Sequence, residues 1–158
     1  MLISMREFVE TGSLGPVSLG SSRAEVEAAF GLPQAGSSDT IGYGGPVAPL
    51  GEAVWVYGGV ELQWYGPLLW MIDFDDFDSP CAWIDPWILQ DSLSLERAEQ
   101  ELQAANIQYS QVAVPNRPGH IHLCATSGVR LHFVPQENGA LELGSCSIRR
   151  GASTWSSL

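Results

Sequence analysis

Lysine is missing from this 158-residue chain, and its seven basic residues, all arginine, face eighteen acids. The resulting formal net charge of -11 repels phosphate backbones and anionic lipid, so neither nucleic acid nor a membrane surface is an expected partner. A basic protein would instead be drawn toward it. Cysteine is scarce as well. Cys81, Cys124 and Cys146 are odd in number and have no C-x-x-C spacing, which argues against a disulfide framework or a structural zinc site and for reduced thiols. Long apolar runs are lacking: the longest, Leu68 to Ile72, falls far short of the roughly 20 residues that span a bilayer. The stretch from Met1 to Glu7 has no basic segment leading into an apolar core, so no secretion signal is read and the cytoplasm is the expected compartment. Catalytic signatures are missing too. Without G-x-S-x-G, H-E-x-x-H, a phosphate loop or a dinucleotide fingerprint, neither enzymatic activity nor a cofactor is expected.

What is present reads as one α+β domain over residues 1–158, long enough to bury roughly two-thirds of its unfolded surface. Met5 to Glu10 suits a short helix. Ser22-Arg23-Ala24-Glu25 is a capping box, and the helix it starts puts Val26, Ala29 and Phe30 on one face before Gly31 and Pro33 stop it. Residues 34–51, rich in Gly, Ser, Pro and Ala, read as a loop. Strand patterns follow at Ala53 to Tyr57, Val60 to Tyr65 and Leu68 to Phe74, and after a connector a second long helix runs from about Leu95 to Ala105. Further strands fall at Gln108 to Val114, His120 to Ala125, Val129 to Val134 and Leu141 to Ile148, and the tail from Gly151 is expected to fray.

Gly59-Val60-Glu61-Leu62-Gln63-Trp64 matches Gly128-Val129-Arg130-Leu131-His132-Phe133 in character, position for position. A helix precedes each at a similar interval. The chain is therefore read as two degenerate helix-plus-antiparallel-strand units, about 14–78 and 92–148, which join one curved antiparallel sheet with helices on one face.

Alternation then sets the register. In the second hairpin a three-residue Thr126-Ser127-Gly128 loop pairs Ala125 with Val129; carried over to the first, it pairs Val56 with Val60 and turns Val54, Val56, Val60, Leu62 and Trp64 inward. The opposite face would hold Trp55, Tyr57, Glu61, Gln63 and Tyr65 from one unit, and His120, His122, Cys124, Arg130 and His132 from the other. Such aromatic, His and Arg side chains are typical interface anchors, unless a helix, the long loop or a second subunit covers them. The same register sets His122 opposite His132, which makes His120, His122 and His132 the residues that could hold a metal, although none is expected. The acidic run from Asp73 to Asp78 lacks the Gly and closing Glu of a calcium loop. Its Asp73, Asp75 and Asp76 suit a solvated strand end or the capture of a partner's Arg or Lys.

The segments Leu14 to Gly20, Phe30-Gly31-Leu32-Pro33, Gly59 to Trp64, Leu93 to Glu99 and Ser127 to Phe133 together resemble a group of small, largely uncharacterised bacterial proteins, many of them similar to immunity proteins of toxin loci. The tandem helix-strand units are also similar in topology to the β-lactamase-inhibitor-protein architecture, in which a concave sheet grips another protein. The resemblance implies a module that neutralises a cognate toxin by occluding it, and the acidic charge makes a basic toxin the expected partner. Its partner-binding residues would be Trp55, Tyr57, Glu61, Gln63, Tyr65, Asp73, Asp75, Asp76, Arg130 and His132. The competing expectations are small-ligand or metal binding at the histidines, and a homodimeric structural protein, so the chain is either a monomer or a homodimer.

Overall fold

Three serines start the three helices of the computed structural model, which describes residues 2–36, 41–42, 45–46, 53–78 and 81–151. Ser4 caps α1 (Met5–Thr11), Ser22 caps α2 (Arg23–Phe30) and Ser94 caps α3 (Leu95–Ala104). Each hydroxyl accepts an otherwise free amide of the first turn. At Ser22 the box is reciprocal: the Glu25 amide donates to the Ser22 Oγ (3.2 Å), and the Ser22 amide donates to the Glu25 carboxylate (2.7 Å). The apolar faces are those the spacing implies, Val26 in α2 and Leu95, Ala98 and Leu102 in α3.

The strands in chain order are β1 (Ile3–Ser4), β2 (Ala35–Gly36), β3 (Ile41–Gly42), β4 (Gly45–Pro46), β5 (Ala53–Tyr57), β6 (Val60–Tyr65), β7 (Leu68–Phe74), β8 (Ile84–Asp85), β9 (Tyr109–Ala113), β10 (Ile121–Ala125), β11 (Arg130–Pro135) and β12 (Leu141–Arg149). Eight of them form one sheet in the order β2-β5-β6-β7-β12-β11-β10-β9, antiparallel at every junction. The expected α+β class, with one curved antiparallel sheet and helices on one face, is what the chain adopts. Each half is a helix followed by a four-strand meander, and the halves meet where β7 pairs with β12. Outside this sheet, β1 pairs with β8 in parallel and β3 with β4 in antiparallel fashion.

The segment expected to be a loop departs from expectation at Ala35–Gly36, which adds an edge strand to β5. The Gln34 amide donates to the Val56 carbonyl (2.9 Å), and the Gln34 side chain accepts from the Gly58 amide (2.8 Å). The remainder of 34–51 apart from the short β3–β4 pair, and the tail after 151, lie outside the described residues.

Both hairpins bulge at the same place in the sequence match. The register shifts between Gln63 and Trp64 against β7, and between His132 and Phe133 against β12. A bulge adds one residue to a strand and bends it, so two at matching points help to curve the sheet. In β12 the extra residue is Gly144, where a Cβ would come within 2.7 Å of the Val134 side chain.

The two turns differ, and this overturns the register expected for the first hairpin. Ala125 does bond to Val129 across a three-residue loop (N to O 2.8 Å), but Tyr57, not Val56, pairs with Val60, leaving a two-residue Gly58-Gly59 link. Gly58 takes φ 59°, the left-handed value such short links require at their first position. One residue fewer in the loop inverts β5. Trp55 and Tyr57 are 2% and 3% exposed, while Val54 and Val56 face the other way. Energy explains the choice. Burying an aromatic ring of about 150–250 Å² contributes about 4–6 kcal/mol, against about 1.5–3 kcal/mol for a valine, so the inverted strand is preferred by several kcal/mol.

The inward rings find partners. Trp55 packs edge-on against Trp64 (5.1 Å between centroids), and Tyr57 packs against Phe30 of α2 (5.8 Å) and donates its hydroxyl to the Gly31 carbonyl (2.8 Å). Arg23 of α2 lies over Trp64 (4.9 Å), Trp83 stacks on Phe30 (4.4 Å), and Phe8 of α1 meets Phe74 (5.4 Å). In the second half, the Leu143 amide donates to the Leu93 carbonyl just ahead of α3 (2.9 Å).

Trp55→Ala should destabilise the fold by about 3–5 kcal/mol, whereas Val56→Thr should cost under about 1.5 kcal/mol. Urea denaturation of the two variants checks this, and the reverse order would restore the three-residue register.

Candidate functional site

The outer face holds what alternation turns away from the helices. Pairing sets Ser110, Cys124, Arg130, Ser147, Asp73, Glu61 and Val56 in one row across β9, β10, β11, β12, β7, β6 and β5. A second row runs Val112, His122, His132 and Ser145, and on the other side Arg149 pairs with Met71 and Met71 with Gln63. The charge is therefore divided, with guanidinium and imidazole groups over β10 to β12 and carboxylates over β7 and β6. Ser147 stands between the two halves.

Over the basic side a basin of about 400 Å³ opens, lined by His122, Arg130, His132, Ser145, Ser147 and Arg149, with Arg117 from the β9–β10 turn and Asp73 and Met71 of β7 at its sides. Three of the seven arginines thus line one hollow in a chain of net charge -11. None of the three makes an ion pair among the described residues, whereas Arg97 on α3 pairs with Glu101 (3.0 Å).

The histidines gather as the register implies. His122 faces His132 with centroids 4.8 Å apart, and His120 Nδ1 lies 2.9 Å from His132 Nε2, a hydrogen bond in which one ring supplies the proton. Two imidazoles on one tetrahedral zinc stand about 3.3 Å apart, so a metal would have to break this bond and spread the pair. Partial burial, then the charge of His132 and of Arg130, Arg149 and Arg117, pulls His122 down to about 4. Burial also lowers His132, with His120 and Arg117 adding to the effect.

The acidic half behaves oppositely. Burial pushes Asp73 up to about 7, helped by Asp75 and then Glu61, and Glu61 is raised by burial and by Asp75. Oxygen atoms of Glu61, Asp73 and Asp75 lie within 4.8 Å of one another, a grouping that could hold a hard cation and that exposed acids also form without one.

The residues expected to bind a partner are thus split up. Trp55 and Tyr57 are core residues and leave the outer face, because the two-residue link inverts β5. Tyr65 is exposed (53%) at the end of β6. Glu61 and Gln63 are half-buried on the outer face, Asp75 and Asp76 are exposed beyond β7, and Asp73, Arg130 and His132 line the basin. Sequence reading missed Ser145, Ser147 and Arg149, although their alternation with Cys146 and Ile148 marks them as outward. Arg117 sits in a turn and carries no pattern that announces it. The cysteines are free thiols, with Cys146 buried and Cys81 and Cys124 partly so.

No protein-family model and no curated protein matches the chain. Among solved structures it is similar to a DUF4309 family protein, YjgB, from Bacillus subtilis, with 13% identity over 92% of each chain and a TM-score of 0.48. No described helix is long and apolar enough to cross a membrane.

Asp73 sets a pH dependence. Its carboxyl stays protonated in the fold until about pH 7 but ionises near 3.8 when unfolded, so stability falls as pH rises across that window. His122 acts in the opposite sense, since stability is lost as pH falls from 6.5 toward 4. Asp73→Asn should therefore stabilise the protein at pH 8 by on the order of 1–3 kcal/mol and leave it nearly unchanged at pH 4, measured by urea denaturation at each pH.

Proposed function

We propose that this chain is a cytoplasmic protein-binding module of the immunity-protein kind, which neutralises a cognate toxin by covering it with the outer sheet face. The observation that carries this reading is the unequal treatment of the two faces. All three helices described pack on the inner face, while the outer face presents half-exposed cations beside half-exposed and exposed acids. A divided surface of this kind fixes the orientation of a charged partner and excludes partners of the wrong pattern. Tyr65 supplies one exposed aromatic at the rim. The net charge of -11 favours encounter with a basic protein, whose Arg or Lys side chains Glu61 and Asp75 would receive.

The test is capture from the native host by the full tagged chain, followed by identification of the retained protein and assay of its activity with and without the chain. Arg130→Glu and Glu61→Arg should each lower retention at least tenfold, while Glu96→Arg on the exposed side of α3 should leave it unchanged. Capture of nothing, or capture that ignores both face substitutions, would falsify the reading.

A further inference from the structure

We infer that the basin between Arg117, Arg130 and Arg149 is a binding site for the phosphoryl group of a small phosphomonoester. This goes beyond the partner reading, because such a site does not require a protein partner and a partner can dock without phosphate.

The geometry begins with β12, whose alternation sets Ser145, Ser147 and Arg149 on the same side, while pairing brings Arg130 beside Ser147 and His132 beside Ser145. Arg117 closes the far end from the β9–β10 turn, and Met71, Val114 and Gly128 complete the wall with little polarity. Guanidinium groups gathered around one basin repel one another. In most proteins a carboxylate relieves such repulsion, yet among the described residues none forms an ion pair with them. Asp73, the acid nearest at hand, keeps its proton to about pH 7, so below that it brings little negative charge into the basin. His122 lies where the fields of all three arginines meet. The arrangement has positive charge and hydroxyl donors, and among the described residues no carboxylate is ion-paired with its arginines.

The choice among anions follows from charge and size. A carboxylate brings one negative charge, whereas a phosphomonoester brings about 1.5 to 2 and three strong acceptor oxygens, better matched to three guanidinium groups. The volume of about 400 Å³ lies within the range of about 300–1,000 Å³ typical of small-molecule sites, so there is room for an organic body behind the phosphoryl group. A nucleic acid is disfavoured, because its backbone would run out of the basin onto Asp75 and Glu61, against a net charge of -11.

The experiment titrates the full chain with inorganic phosphate at low salt while following arginine Nε–Hε and histidine ring signals by NMR. Saturable shifts should be confined to Arg117, Arg130, Arg149, His122 and His132, and the His122 pKa should rise when phosphate binds. The groups facing His122 in that titration are Arg130 and His132 of β11, Arg149 of β12 and Arg117 of the turn, with Asp73 of β7 across the basin. Its neighbour on β9, Val112, carries no charge. Arg130→Gln and Arg149→Gln should each weaken phosphate binding at least tenfold with a thermal midpoint no lower than that of the parent chain, and Arg150→Gln, outside the basin, should not weaken binding. Unsaturable shifts spread over Arg97 and Arg150, or undiminished binding by both folded variants, would overturn the site. Glycerol phosphate should bind more tightly than inorganic phosphate. A phosphoserine peptide that binds tenfold more tightly than glycerol phosphate would overturn the small-molecule assignment and leave a phosphoprotein site in its place. Loss of partner capture with phosphate binding intact, or the reverse, separates this site from the protein-binding reading.

Discussion

Every feature of the outer face depends on one constraint, the gathering of the large apolar side chains onto the other face of the sheet. The three helices described span 7, 8 and 10 residues, too little to cover both sides of an eight-stranded sheet. Their apolar residues, with Trp55, Trp64, Leu123 and Phe133 from the strands, enter a single core. Each strand contributes every second residue to that core, so the same packing decides which polar groups are displayed together on the side left open.

That display shows electrostatic strain. Burial, then His132 and the arginines around it, depresses the proton affinity of His122, while burial and then the nearby Asp75 raise that of Glu61 and Asp73. A buried arrangement of this kind would cost far more than the fold could offset. At partial exposure, solvent screens much of the repulsion, which allows like charges to remain close and ready for a ligand or partner of opposite sign.

Much of the architecture was legible in the sequence because its signals are local. Ser22 with Glu25, the helix from about Leu95 and the strand pattern ending at Ala125 each rest on signals a few residues long, and each appears where expected. The pairing of His122 with His132 was legible for the same reason, since Thr126-Ser127-Gly128 fixes the parity of that hairpin. The first hairpin misled because its likeness to the second invited the same turn. With alternating apolar residues of both parities in Val54-Trp55-Val56-Tyr57, pattern alone could not choose which pair goes inward.

By itself, the sequence determined the α+β class, the cap at Ser22 and the strands of the hairpins, since hydrogen-bond capping and side-chain period operate between near neighbours. Only the tertiary structure decided that Trp55 and Tyr57 belong to the core, and that Arg117, Arg130 and Arg149 share one basin. The first depended on rings of Trp64 and Phe30 waiting across the interior. The second depended on strand order, which brings together residues up to 32 positions apart in sequence, from Arg117 to Arg149, and no local period records that distance.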